Sequence, residues 1–134
     1  QEEEQQIRIR ITDTIRWIIC QRLLPKVGGG RIALLEIMTT NLRMKDTIIN
    51  WETEDKTYYD IITNGDALGM WTFDQHILKL LKEGLITEET ALAYASRKAI
   101  VGRGIDTIKA ERGEKITDID GLAMDSKYDA EVKN

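Results

Sequence analysis

Three consecutive glycines, Gly28-Gly29-Gly30, constrain this chain more than any other feature. Glycine visits φ > 0 without a Cβ penalty, so a run of three marks a reversal of chain direction. Both flanks are apolar: Gln21-Arg22-Leu23-Leu24-Pro25 with Lys26-Val27 before the glycines, and Arg31 to Met38 after them. The pattern predicts a β-hairpin. Pro25 has no N–H to give to a ladder, so it belongs at the end of the first strand. The glycines suit a turn better than an anion cradle. Beyond Met38 no convincing strand follows, and the remaining fold must be built from helices.

Ahead of the hairpin, Ile7, Ile11, Ile15, Ile18 and Ile19 predict one helical stripe through residues 1–20, with Arg8, Thr12 and Arg16 on the other side. The alternation Ile7-Arg8-Ile9-Arg10-Ile11 is the rival strand reading. The acidic start Glu2-Glu3-Glu4 complements a helix N-terminus and favours the helix. After the hairpin, Thr39 or Thr40 can cap a helix to about Asn50 with Leu42, Ile48 and Ile49 inward. A second helix covers about Thr57 to Thr63 and stops at Asn64-Gly65. The clearest runs from Phe73 to Glu83. There Thr72 and Gln75 form a capping box, Phe73, Ile77, Leu80 and Leu81 make the buried face, and Gly84 ends it. Thr87 caps the next helix, with Leu92 and Tyr94 as packing residues, and another spans Ile105 to Glu111. Residues 113–134 carry many acids and few apolar groups, the pattern of a flexible acidic tail.

The chain has 134 residues, enough for one modest core, and a net charge of −4 that disfavours a nucleic-acid-coating role. One cysteine and one histidine rule out an internal disulfide and a Cys/His zinc site. They make a reducing, cytosolic setting the default. No apolar run reaches the roughly 20 residues of a membrane helix. The opening Gln1-Glu2-Glu3-Glu4 is not a signal peptide, and a start at Gln1 reads as a trimmed piece of something longer.

Chemistry-bearing motifs are scarce. Gly65-Asp66-Ala67-Leu68-Gly69 lacks the Lys-Ser/Thr of a P-loop, and no Gly-Lys pair occurs in the chain. Gly102-Arg103-Gly104 starts a dinucleotide fingerprint that fails at Thr107. His76, with no second His or Cys, reads as a surface or interface residue. Cys20 reads as a small buried hydrophobe. Trp17, Trp51 and Trp71 lie on different elements and suit packing, and Arg97 to Arg103 suits a solvated basic connector. Spacing alone nominates no carboxylate pair. The residues by themselves reach a small, mostly α protein with a short β-hairpin.

Four motifs in order add a resemblance. Ile18-Ile19-Cys20-Gln21-Arg22-Leu23-Leu24-Pro25 resembles the I-x-Q-R-L-L-P segment of secretion and pilus ATPases. Gly28-Gly29-Gly30-Arg31-Ile32-Ala33 with Glu36-Ile37-Met38 is similar to their next strand. Gly69-Met70-Trp71-Thr72-Phe73-Asp74-Gln75 is similar to their G-M-x-T-F-D-Q motif, and Gly84-Leu85-Ile86-Thr87-Glu88-Glu89 to G-L-I-T-x-E-E. Together they cover about residues 5–112 and resemble the twitching-motility (PilT-like) ATPases and their type IV secretion relatives, the DotB-like ATPases.

The resemblance implies the C-terminal part of a RecA-like α/β P-loop ATPase domain plus a helical subdomain. Residues 1–38 would end the ATPase core, 39–112 would form the helical subdomain, and 113–134 the tail. It implies a hexameric secretion or pilus motor that couples ATP hydrolysis to protein secretion or pilus dynamics. ATP and Mg would belong to the parent protein, whose nucleotide motifs lie upstream. This chain alone would bind no cofactor and hydrolyse nothing. Gln21 becomes the nucleotide-proximal candidate. Arg43, Met44, Lys45, Asp46, Ile48, Ile49 and Asn50 become an exposed effector or interface helix. That stretch stands where pilus-retraction ATPases carry A-I-R-N-L-I-R-E, and it departs from the motif, which shifts weight toward secretion. Expected partners are neighbouring subunits and inner-membrane machinery, without metal or nucleic acid. The implied location is the cytoplasm, peripheral at the inner membrane face. The alternative is a free-standing helical protein-interaction adaptor. A nucleic-acid module would need residues 97–103 to act with Arg8, Arg10 and Arg16. A hairpin without its parent sheet would leave two strand edges unpaired, and the isolated chain would self-associate.

Overall fold

A computed structural model describes residues 2–114. Helix α1 (Glu2–Thr14) leads into an antiparallel hairpin of β1 (Trp17–Pro25) and β2 (Arg31–Thr39). Then follow α2 (Leu42–Asn50), α3 (Tyr58–Thr63), a 3-10 turn at Asp66–Leu68, α4 (Phe73–Lys82), α5 (Glu88–Tyr94) and α6 (Lys98–Glu111). The mostly helical class with a two-stranded hairpin is as the sequence predicts. The acidic tail expected at 113–134 lies almost wholly outside the described residues.

The glycine turn sits where expected, with Gly28, Gly29 and Gly30 all at positive φ. The strands are longer than their apolar flanks suggest. β1 begins at Trp17, and Ile18 and Ile19 pair with Met38 and Ile37. The predicted helical stripe through residue 20 therefore stops at Thr14. Trp17-Ile18-Ile19 is bulky and β-branched, and a ready partner strand settles it as extended chain. The base of the hairpin is tied to the end of α1. Thr39 and Thr40 accept this task rather than capping a helix: Thr39 Oγ1 donates to the Arg16 carbonyl at 2.9 Å and Thr40 Oγ1 to that of Ile15 at 2.9 Å. The α2 cap is Asn41, whose Oδ1 accepts the Met44 N–H at 2.8 Å.

One face of the hairpin carries Leu24 and Leu34, both fully buried, against Phe73, Ile77, Leu80 and Leu81 of α4. Val101, Ile105 and Ile108 of α6 complete this core at helical spacing. Arg97 to Arg103 is thus no connector, because α6 starts at Lys98 and its first turn already buries Val101. Glycines at 102 and 104 disguise the helix. A Cβ at Gly104 would run into the Leu78 side chain, so glycine there lets α6 approach α4 closely. A smaller core joins Met38, Met44, Ile61, Ile62 and Met70 beneath α2 and α3. Leu42, expected inward, is 86% exposed, and Met44 and Thr47 take the inward positions of α2. Leu92 of α5 is likewise exposed, while Tyr94 packs on the main core.

Candidate functional site

The two edges of the hairpin differ. On the β2 side, Ile37 exchanges backbone hydrogen bonds with Trp71, N–H to carbonyl at 2.9 Å and carbonyl to N–H at 3.1 Å. Leu35 is sealed by side chains. Its N–H donates to His76 Nδ1 at 2.9 Å, and its carbonyl accepts the Trp71 indole N–H at 3.1 Å. The Trp71 and His76 rings meet edge to face with centroids 5.9 Å apart. Accepting through Nδ1 requires a neutral imidazole with its proton on Nε2. Burial pushes the His76 pKa below its ordinary value, in the same sense. A cleft of about 210 Å³ opens beside this plug, lined by Met70, Trp71, His76 and Lys79 with Asp66 and Gln75. The expectation of two open edges is corrected here, since Trp71 and His76 close the middle of β2.

The β1 edge is the opposite case. Leu35 and Ile37 direct their backbone groups away from β1, so the intervening Leu34 and Glu36 serve Arg22 and Cys20, their register partners. That leaves the backbone of Ile19, Gln21 and Leu23 directed outward. Among the described residues, no backbone group of another element reaches them. Ile19 is 62% and Leu23 47% exposed, and Trp17 is exposed on the same face. Gln21 sits at the middle of this open edge, solvent-exposed. Cys20, expected to be buried, is exposed although its side chain lies on the face that carries Leu24 and Leu34.

Asp74 is the charged group that spacing passed over. It is 1% exposed and stands three residues before Ile77, on the apolar face of α4. Its Oδ1 accepts the Ser96 N–H at 2.7 Å, and its Oδ2 accepts the Arg97 N–H at 3.0 Å and the Tyr59 hydroxyl at 2.8 Å. One carboxylate thus joins α3, α4 and the start of α6. Arg97 lies 3.7 Å over the Tyr59 ring. Burial, and then the hydrogen bond to Asp74, push the Tyr59 hydroxyl up to about 12. The adjacent capping box is complete: Thr72 Oγ1 accepts the Gln75 N–H at 3.2 Å and Gln75 Oε1 accepts the Thr72 N–H at 2.9 Å. Placement on the buried stripe was the signal that could have found Asp74 in advance.

The predicted effector stretch divides. Arg43, Asp46 and Asn50 are exposed, while Lys45, Ile48 and Ile49 are half-buried. Met44 is fully buried in the smaller core, which removes it from any exposed surface. Asp46 pairs with Lys56 and accepts from Asn50 Nδ2 at 2.7 Å, and the Lys56 hydrogen bond holds its carboxyl below the usual range. Gln21 and this helix belong to different elements and are not joined by any hydrogen bond. No cluster of three or more metal-ligating side chains occurs among the described residues, and no described helix is long and apolar enough to cross a membrane. What the geometry offers is a sheet edge with no described partner and a partly exposed helix surface on α2.

No protein-family model matches the sequence. The type IV pilus retraction ATPase PilT of Pseudomonas aeruginosa is 36% identical over 92 residues, 67% of this chain and 26% of that protein. A twitching motility protein of Neisseria gonorrhoeae is 31% identical over 90 residues, 66% of this chain and 24% of its own length. Among solved structures, the pilus retraction motor PilT with bound ADP superposes with a TM-score of 0.57 at 31% identity, over 74% of this chain and 26% of that one. The Legionella pneumophila ATPase DotB shares the fold with a TM-score of 0.52 at 22% identity, over 69% of this chain and 25% of that one. The chain spans about a quarter of the length of these relatives. Over the part that matches, it belongs to the family of PilT-like type IV pilus ATPases.

Proposed function

We propose that this chain supplies the C-terminal hairpin and helical subdomain of a hexameric type IV motor ATPase that drives pilus dynamics or protein secretion. The observation that carries the reading is the hairpin with one sealed and one open edge, set in a chain 36% identical to a pilus retraction ATPase over 92 residues. With the middle of β2 closed by Trp71 and His76, the open β1 edge is where the sheet would continue. The remaining strands of a RecA-like core would pair there, along Ile19, Gln21 and Leu23. In this reading residues 1–38 finish the core, 39–112 form the subdomain, and ATP with Mg is bound by segments that the match does not include. Gln21, on the joining edge, would lie toward the nucleotide. Arg43, Lys45, Asp46, Ile48, Ile49 and Asn50 of α2 would form the surface that meets neighbouring subunits or inner-membrane machinery on the cytoplasmic side.

Three experiments test it. The chain alone is expected neither to bind nor to hydrolyse ATP, and its open β1 edge is expected to drive concentration-dependent association in light scattering. Grafted over the matching segment of the Pseudomonas relative, residues 5–112 are expected to support ring assembly and ATP hydrolysis. A graft that folds yet never assembles or hydrolyses would defeat the reading. In such a graft, replacing Lys45 and Asp46 is expected to lower transport or retraction while leaving ATP hydrolysis intact. Unchanged work with unchanged hydrolysis would remove α2 from the effector role.

A further inference from the structure

The last carbonyls of a helix need partners from outside it, and those of α2 find one on α1. Arg8 Nη1 donates to the Ile48 carbonyl at 2.7 Å, across 40 residues of sequence. The same guanidinium stands 3.2 Å from the centre of the Trp51 ring. Its Nε and Nη2 donate to Glu4 Oε1 at 3.3 and 3.2 Å, which fixes the side chain from the α1 side. A planar fork that donates in two directions while presenting a face to an aromatic ring is a task for arginine, and lysine cannot reproduce it. Trp51, the residue that closes α2, holds φ at 70°, a conformation that bulky L-residues rarely adopt. Such backbone strain persists where the surroundings over-determine it. The cation stacked on its ring is one such restraint.

The rest of the α1 attachment is thin. Thr12 is its one buried residue, and Ile7, Ile9 and Ile11 remain largely exposed. Further along the helix, exposed Asp13 and half-buried Lys45 of α2 stand 4.0 Å apart, a loose pair. A helix with few buried apolar contacts belongs to the part of a fold that opens locally at low cost.

We infer that α1 is a detachable strap across α2 and that Arg8 is its clasp, holding α1 down while fixing the last turn of α2 through Ile48 and Trp51. Arg8 is thereby a positioning residue for α2. The clasp does not depend on the motor reading, because it is defined by contacts within the chain. Its opening would free the end of α2 without disturbing the core beneath α4 and α6.

Amide hydrogen exchange on the full 134-residue chain tests this directly. Arg8→Gln is expected to speed exchange about tenfold or more in α1 and around Ile48 to Trp51, as loss of a charged hydrogen bond requires, while α4 to α6 keep their protection. Arg8→Lys is expected to stay close to Arg8→Gln at Trp51, since it keeps the charge and loses the fork. In a Trp51→Ala background Arg8→Gln is expected to add less than about threefold, because clasp and ring act as one unit. Unchanged exchange in α2, an Arg8→Gln effect as large without Trp51 as with it, or faster exchange spread evenly through α4 to α6 would each overturn the clasp. If Arg8→Gln does not fold, Trp51→Gly decides. Glycine relieves the positive φ, so exchange in α1 that slows instead of rising would show that the stack holds nothing.

Discussion

Helices α1 and α4 are held in opposite ways, and of the apolar stripe expected through residues 1–20 only Ile7 and Ile11 fall within α1. α4 buries Phe73, Asp74, Ile77, Leu80 and Leu81 within 10 residues, opens on a complete capping box and lies under the hairpin. α1 has 13 residues and buries Thr12 alone. Its attachment is polar, through Arg8 to the end of α2 and the carbonyls of Ile15 and Arg16 to Thr40 and Thr39. The difference teaches what apolar periodicity measures. It reports that a helix has a face to bury, and says nothing of whether the same chain supplies the other wall.

The largest break in this comparison is expected from Asp74. Asp74→Ala leaves the N–H groups of Ser96 and Arg97 and the Tyr59 hydroxyl without their acceptor in a buried place. Loss of about 3 kcal/mol or more is expected, read as a lower midpoint in urea unfolding. Asp74→Asn keeps one acceptor oxygen but turns a second donor on the site, and should fall between. A loss under about 1 kcal/mol for the alanine variant would mean that α6 docks without this carboxylate.

His76 comes next. Removing its ring strands the Leu35 N–H on the β2 edge, and His76→Ala is expected to cost about 1–2 kcal/mol. The pH dependence has a definite sign. Burial lowers the folded pKa of His76, so the unfolded chain takes up its proton first as pH falls. The stability that rests on the neutral ring is full above the unfolded pKa of about 6.5 and is lost as pH drops through it toward the lower folded value. Thermal melts from pH 7.5 down to 5.5 should show a falling midpoint in the parent chain and a flatter line in His76→Gln. Equal slopes in the two would sever the edge seal from the titration.

These two residues also mark how far the sequence could be read. The glycine turn, the Thr72–Gln75 box and the cap at Thr87 were legible because each is a local rule fulfilled within four residues. Ile18 and Ile19 misled because a partner strand, not local preference, makes them extended. Cys20 and Leu42 misled for a related reason: an apolar residue was given a wall that the described chain does not provide. Asp74 was on the apolar face by simple count, yet its three donors come from segments 15 to 23 residues away. The sealing of β2 joins residues 36 and 41 apart, and no spacing rule reaches that far. The family resemblance rested on four short motifs and carried to the whole matched segment.

Within α6 the comparison can be drawn at two glycines. Gly102 has open space where a Cβ would stand, while a Cβ at Gly104 would meet the Leu78 side chain of α4. Gly102→Ala is expected to stabilise by about 0.5–1 kcal/mol, the helix-propensity gain of alanine. Gly104→Ala carries the same gain against overpacking of about 1–3 kcal/mol, so it should be neutral or destabilising. Matching gains at both positions would show that Leu78 swings aside freely and that α4 and α6 are not in close register.

The smallest effect is expected on α1, where it sharpens the opening contrast. Ile9 is 42% exposed and Ile77 of α4 is fully buried. Ile77→Ala removes contacts on all sides and should cost about 2–5 kcal/mol. Ile9→Ser removes a side chain that is only partly covered, and the loss should stay below about 1 kcal/mol. Serine also has lower helix propensity, and that alone accounts for a few tenths of a kcal/mol. A loss above about 1 kcal/mol at Ile9 would therefore mean that its side chain is covered in solution, by another copy of the chain or by residues outside 2–114. Repeating the melt across a hundredfold range of concentration separates the two, because only cover from a second copy weakens on dilution.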